Sequence, residues 1–260
     1  MTVENPLVSA IIPVFNGEAY LAEAIRSALE QDYQPLEVIV LDDGSTDGTA
    51  AVSKSFGEKI RYHFQPHAGV STTRNKALEL AKGQLIAFLD ADDRWTPNKV
   101  TVQVRHMKEH PQLHFTIARL QYFLEQGCPL PQGFKEELLS GDHLGRLFGT
   151  LVAWRWVFEN VGGFDGSLTT AEDVDWFARA SDQKVPMAVL PDVLLHKRVH
   201  GNNLSLTAPE NDTNLLTVLR RSIARKRSPR PELGKQPGGS SLPREGAATE
   251  PASPQAGAKS

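Results

Sequence analysis

Apolar runs broken by polar turns mark out the first half of the chain. Leu7 to Phe15 (LVSAIIPVF) is short and almost continuously apolar, as a strand buried on both faces requires. Asn16-Gly17 breaks it. Between Glu18 and Gln31, the residues Leu21, Ala24, Ile25, Ala28 and Leu29 then fall at helical spacing. Leu36 to Leu41 (LEVIVL) predicts a second strand, which stops in Asp42-Asp43-Gly44-Ser45-Thr46-Asp47-Gly48, and a helix is expected to start near Thr49. Ile60 to Phe64 predicts a third strand. Val70 to Lys82 predicts a helix closed by Gly83. Gln84 to Leu89 (QLIAFL) predicts another buried strand, ending at Asp90. Thr96 as N-cap and Pro97 as first helical residue then open a helix with Val100, Val104 and Met107 on its buried stripe.

This strand–helix rhythm predicts an α/β fold, a parallel sheet with helices on both faces. Ligands bind such sheets beyond the carboxyl ends of the strands. Three predicted strands end there in polar residues: Asn16, Asp42-Asp43 and Asp90-Ala91-Asp92-Asp93. Between Pro111 and Gly149 no motif stands out.

Composition changes the picture only near the end. Ser228 to Ser260 holds 6 Pro, 5 Gly and 5 Ser in 33 residues, with almost no large apolar side chains. Such a segment cannot bury enough surface to offset its ordering entropy. The expected division is one α/β domain over 1–218 and a basic, then Pro/Gly/Ser-rich, disordered tail over 219–260.

The net charge of −3 is unevenly spread. From Val218 onward the balance is +6 (9 basic, 3 acidic residues), which leaves −9 for the body. The basic segment 220–230 fits a solvated helix end, or a peripheral contact with anionic lipid at the inner face of a membrane. No nucleic-acid partner is expected. Cys128 is the single cysteine, which suits a reducing compartment. The first residues lack the pattern of a signal peptide, and no apolar run reaches the ~18 residues of a membrane span. A cytoplasmic location is the expectation.

The candidate chemistry lies in four clusters. Asp90, Asp92 and Asp93 crowd one strand end, where carboxylates repel unless a cation intervenes. Mg²⁺ and Mn²⁺ favour such oxygen donors and would let an acidic site hold a diphosphate. The alternative is a turn with helix-capping acids. Asp42-Asp43-Gly44-Ser45 offers either acceptors for a nucleoside or an Asx-turn. Glu172-Asp173-Val174-Asp175 offers either a general base of raised pKa or acids suited to a helix N-terminus. In His196-Lys197-Arg198-Val199-His200, the His and Arg side chains could reach a metal or diphosphate. Arg74 could pair with phosphate through its planar fork.

Together these segments resemble family 2 glycosyltransferases of the GT-A fold, a Rossmann-like, mostly parallel sheet flanked by helices. The resemblance runs from about Val8 to Ser205 through VSAIIPVFNGEAYLAEAIRSAL, VIVLDDGSTDGT, GVSTTRNKAL, LIAFLDADD, NVGGFD with the later ED, and HKRVHGNNLS. It implies inverting, metal-assisted transfer from a nucleoside diphosphate sugar, with UDP as the expected nucleotide and Mn²⁺ or Mg²⁺ as cofactor. It places Pro13 and Phe15 in the nucleoside pocket, Asp43 on the base, and Arg74 near the base or phosphates. Asp90 and Asp92 match the DxD acids, with Asp92 on the metal and Asp90 supporting ribose or metal-bound water. Asp173 matches the catalytic base with Glu172 beside it, and His200 completes the metal or diphosphate site. The acceptor is left open among a glycan, a lipid-linked sugar, a peptide and a small molecule.

Other readings meet specific obstacles. A nucleotidyltransferase would carry a basic, Gly-rich loop after the first strand, and Phe15-Asn16-Gly17-Glu18 has no basic residue. A dinucleotide-dependent oxidoreductase needs G-x-G-x-x-G there. A non-catalytic sugar-nucleotide-binding module fits most motifs, but it gives no reason to keep both LDADD and the Glu172-Asp173 pair.

Overall fold

The computed structural model describes residues 5–201, 203 and 211–227. The first half follows the predicted rhythm: β1 (Val8–Val14), α1 (Leu21–Leu29), β2 (Leu36–Asp42), α2 (Thr49–Lys54), β3 (Arg61–Phe64), α3 (Val70–Leu80) and β4 (Leu85–Phe88). The rest comprises β5 (Arg94–Trp95), α4 (Lys99–Glu109), β6 (Phe115–Leu124), β7 (His143–Leu144), β8 (Val152–Trp154), α5 (Arg155–Val161), α6 (Glu172–Asp182), β9 (Met187–Val199) and α7 (Asn211–Arg227).

One sheet joins all these strands in the order β3-β2-β1-β4-β8-β6-β9-β5, with β7 on β6. The β3-β2-β1-β4 part is parallel. β8 runs antiparallel to both β4 and β6, and β6 is parallel to β9. Alternation along β1 explains why its run is continuously apolar. Val8, Ala10, Ile12 and Val14 enter a core with α1 and α4, while Ile11 enters a second core with α3, α5 and α6. A strand buried on both faces shows no polar phase.

Helix α3 ends at Leu80, short of the expected Lys82, with Ala81 extended ahead of Gly83, and two further boundaries differ from expectation. Helix α4 is capped at Asn98, because Thr96 still belongs to the sheet edge: its N–H donates to Leu194 O at 3.2 Å. Val100, Val104 and Met107 are buried as expected. At the other end, the division placed at 218/219 falls inside α7. Val218 is buried there, and the basic run pairs with acids of the body. Arg221 Nη1 lies 2.6 Å from Asp165 Oδ2, and Arg225 Nε lies 2.9 Å from Asp182 Oδ2. The segment expected to be disordered from Ser228 lies outside the described residues.

Candidate functional site

The loops after β1, β2 and β4 meet at the carboxyl edge of the parallel strands. Asn16, in the left-handed region at φ 50°, turns the chain out of β1. Its Oδ1 accepts from Thr46 N at 2.8 Å, which ties the first loop to the second. Asp42 makes the Asx-type contact allowed by its sequence, accepting from Ser45 N at 2.8 Å and Tyr62 Oη at 2.8 Å. Asp43 accepts from Gln65 Nε2 (2.7 Å), Ala68 N (2.9 Å) and Gly69 N (2.9 Å), with His67 Nδ1 also 2.9 Å away. Burial opposes its charge, but the bonds from Gln65 and the loop N–H groups outweigh that and keep its pKa below the usual range. Asp43 therefore holds the 65–69 loop. That loop brings the His67 ring to 4.3 Å from the half-exposed ring of Phe15. Pro13 is buried within β1, beyond the last β1–β4 register pair, Ile11 and Phe88.

Arg74 joins the two acid clusters. Its Nη2 donates to Asp90 Oδ1 at 2.8 Å and its Nη1 to Glu172. The guanidinium lies on an aromatic floor, 5.3 Å from the Phe148 centroid and within 6 Å of Phe88 and Phe164. Only 5% of the side chain is exposed. Its fork is thus spent on carboxylates and leaves little for a phosphate.

Helix α3 is fixed against the GGFD segment by Asn75. Its side chain donates to Phe164 O (2.8 Å) and accepts from Phe164 N (2.8 Å). A Cβ on Gly163 would come within 2.4 Å of Asn75 Oδ1, so only glycine permits this approach. Asp175 pairs with Arg179 at 2.8 Å, and Arg179 donates to the carbonyls of Val161, Gly162 and Gly163. Asp175 thereby braces the same loop from below. Ala171, at φ 62°, turns the chain sharply into Glu172 at the head of α6. A non-glycine residue in that region is held by its surroundings against a strain of about 1–2 kcal/mol.

Asp173 is partly open to solvent, yet its setting favours the proton. Burial and the neighbouring charge of Glu172 raise its pKa to about 6, against the opposing pull of Arg74. On the other side, β9 delivers cations. Lys197 Nζ lies 3.2 Å from Asp93 Oδ2 and 3.7 Å from Asp90 Oδ2. Burial opposes the charge of Lys197, but the three aspartates raise its pKa well above the usual value. Burial also drives Asp93 up to about 8, although Lys197 pulls the other way. His200 Nε2 and Asn203 Nδ2 approach Asp92 Oδ2 at 3.1 and 3.2 Å. For Asp92, burial is outweighed by the His200 bond and the Lys197 charge, and its pKa is lowered.

Asp90, Asp92, Glu172 and Asp173 are therefore brought to one edge, with His200 on Asp92. Arg198 is not available to a diphosphate. It is buried between Glu23 and Glu125, lies over the rings of Tyr20 and Phe123, and donates from Nε to Asp92 O. Its neighbour Lys197, which no motif singled out, makes the cationic contact. The only signal for it was a lysine inside an apolar strand of an acidic body.

Five carboxylates crowd this edge, and Lys197 and Arg74 reach them from within. The hard oxygen donors of Asp90 and Asp92 fit Mn²⁺ or Mg²⁺. Asp90, Asp92 and His200 do not close as a three-donor cage. Among the described residues, the only three such groups with ligand atoms within 4.8 Å of one another lie elsewhere, at His106, Glu109 and His110. An ion here would take one or two carboxylates and complete its shell from the donor and water, as Mg²⁺ commonly does.

Residues 9–132 match the model of glycosyl transferase family 2. An uncharacterized glycosyltransferase of Rickettsia prowazekii is 31% identical over 218 residues, an alignment covering 79% of this chain and 68% of that protein. S. aureus TarS residues 1–349, solved with UDP-GlcNAc, superimposes with a TM-score of 0.67 at 22% identity, over 84% of this chain and 66% of that one. The mannosyltransferase PcManGT from Pyrobaculum calidifontis, solved with GDP-Man and Mn²⁺, gives 0.65 at 20% identity over 87% and 67%. The chain thus spans about two thirds of the length of these proteins. The mixed sheet, the loops at its carboxyl edge and these similarities converge: the fold is GT-A, and the chain belongs to glycosyltransferase family 2.

Proposed function

We infer that this chain transfers a sugar, with inversion, from a nucleoside diphosphate donor to an acceptor hydroxyl, with Asp173 as general base. The observation that carries this reading is the Asp90–Arg74–Glu172 bridge, which keeps Asp173 beside the acid cluster and in surroundings that raise its pKa to about 6. A base poised near working pH takes a proton most effectively.

Asp173 accepts the proton of the acceptor hydroxyl while that oxygen bonds to the anomeric carbon. The bond from the anomeric carbon to the diphosphate breaks, and the diphosphate leaves with the electron pair. Asp92 and Asp90 would hold a divalent ion, Mn²⁺ or Mg²⁺, and its charge would offset that of the diphosphate. His200 and Asn203 orient Asp92, and Lys197 keeps Asp93 and Asp90 in place. Phe15 and His67 offer rings to the nucleobase, with uridine expected. Asp43 serves the nucleoside through the loop it holds.

The test is a donor-binding and turnover pair on Asp173→Asn. A UDP-sugar at about 100 times its dissociation constant should stabilise wild type and variant alike by roughly 2.7 kcal/mol in the presence of Mn²⁺. Transfer in the variant should fall by ~100-fold or more. Turnover at the wild-type rate would remove Asp173 from this role.

A further inference from the structure

Among the described residues, the one group of three metal-ligating side chains with donor atoms within 4.8 Å of one another is not at the catalytic edge. We propose that His106, Glu109 and His110, at the C-terminal end of α4, form a site for a borderline transition-metal ion, with Zn²⁺ as its natural occupant. His106 and Glu109 stand at i and i+3 on one face of α4, and His110 follows as its C-cap residue. One donor atom from each lies within 4.8 Å of the others. A tetrahedral ion with bonds of about 2.1 Å holds its ligand atoms ~3.4 Å apart, so side-chain rotations must draw the set together.

A second feature prepares the ligands. His110 Nδ1 lies 2.9 Å from His106 O, an acceptor only, so Nδ1 carries the proton and the Nε2 lone pair is left for a metal. Orienting an imidazole through its other nitrogen is how metal-binding histidines are generally held. The His106 and His110 rings stack with centroids 4.2 Å apart, which keeps the two imidazoles together at the end of the helix. Two imidazoles and one carboxylate suit Zn²⁺ and its neighbours in the transition series, whereas Mg²⁺ favours all-oxygen shells.

This site is far from the catalytic edge. Lys108, in the same helical turn, reaches Asn5 Oδ1 at 3.1 Å, before the start of β1. The end of α4 therefore lies at the amino ends of the parallel strands, opposite the aspartates. The two sites can be tested separately, and the proposal stands whatever sugar is transferred.

The experiment is isothermal titration of the untagged, metal-stripped chain with Zn²⁺ in excess Mg²⁺. Wild type and Asp92→Asn should both show the zinc site. His106→Ala and His110→Ala should each weaken it by at least ~10-fold, the lower end of the effect of disturbing a ligand's support. Co²⁺ gives a second reading, because its visible absorption on binding should disappear in both histidine variants. Circular dichroism equal to wild type would show that the helix survives. Zinc affinity unchanged in both histidine variants would overturn the proposal. So would its loss in Asp92→Asn alone, which would assign the zinc to the catalytic edge.

Discussion

The parallel part of the sheet, β3-β2-β1-β4, and the mixed part, β8-β6-β9-β5, meet at the acid cluster and bring different things to it. The parallel part ends in acceptors: Asn16, Asp42, Asp43, Asp90, Asp92 and Asp93 all lie at or just beyond the end of one of its strands. The mixed part and its flanking segments return the partners, with Lys197, His200 and Asn203 from β9 and the turn beyond it. Glu172 and Asp173 arrive on α6, and Arg74, from α3, joins them to Asp90. The difference teaches that a strand-end cluster of like charges is only half a site. A buried carboxylate is tolerable when a cation or hydrogen-bond donor from elsewhere faces it.

Removing the partners breaks this comparison most severely. Arg74→Met leaves Glu172 and Asp90 without their shared cation and strips the aromatic floor of its guanidinium. Breaking a buried ion pair from one side costs about 3–5 kcal/mol. Chemical denaturation should show a loss of this size, and a loss below ~1 kcal/mol would mean that Arg74 is not the structural bridge. Lys197→Met should cost less, about 1–3 kcal/mol, the usual penalty for a buried group left without its partner. Asp93, raised to about 8, mostly holds its proton at neutral pH, so the loss of Lys197 leaves less uncompensated charge there.

Asp173 sharpens the comparison through pH. As a base it works deprotonated, so the transfer rate should fall as pH drops through about 6. Its folded pKa lies above the ordinary aspartate value, so ionising it opposes folding. That cost grows as pH rises from the unfolded value to about 6 and is fully present above it. Asp173→Asn removes this cost, and the melting temperature at neutral pH should be no lower than wild type. A clear drop would mean that ionised Asp173 is a favourable structural partner.

The smallest effect is expected at the end of α7. Arg225→Ala breaks a part-exposed pair with Asp182 and should change stability by about 0–1 kcal/mol. A chain ending after Arg227 should melt like the full chain, whereas one ending at 218 also loses Arg221 and its contact with Asp165.

Much of the first half was legible because its signals are local. β1, β2 and β4 are largely apolar runs and α1 carries its own helical spacing, while α3 starts where expected and ends at Leu80, ahead of the stop placed at Gly83. The failures share one cause. Thr96 looks like an N-cap, but its N–H is taken by Leu194 across the sheet. Arg198 looked like the phosphate contact because arginines often are, yet its side chain is enclosed by Glu23 and Glu125, far away in sequence. Arg221 and Arg225 looked solvated until Asp165, in the loop before α6, and Asp182, at the end of α6, supplied their acids. From β6 onward the strands pair across long loops and β8 runs backwards, so no local period announces them.

The sequence by itself determined which segments could be strands and helices, and that acids would gather where strands end, because burial and backbone geometry act within a few residues. Only the tertiary structure decided which acid faces which cation, since that depends on β9 and α6 crossing to the far ends of β1 and β4. Charge interactions depend on separation in space and take no account of distance along the chain.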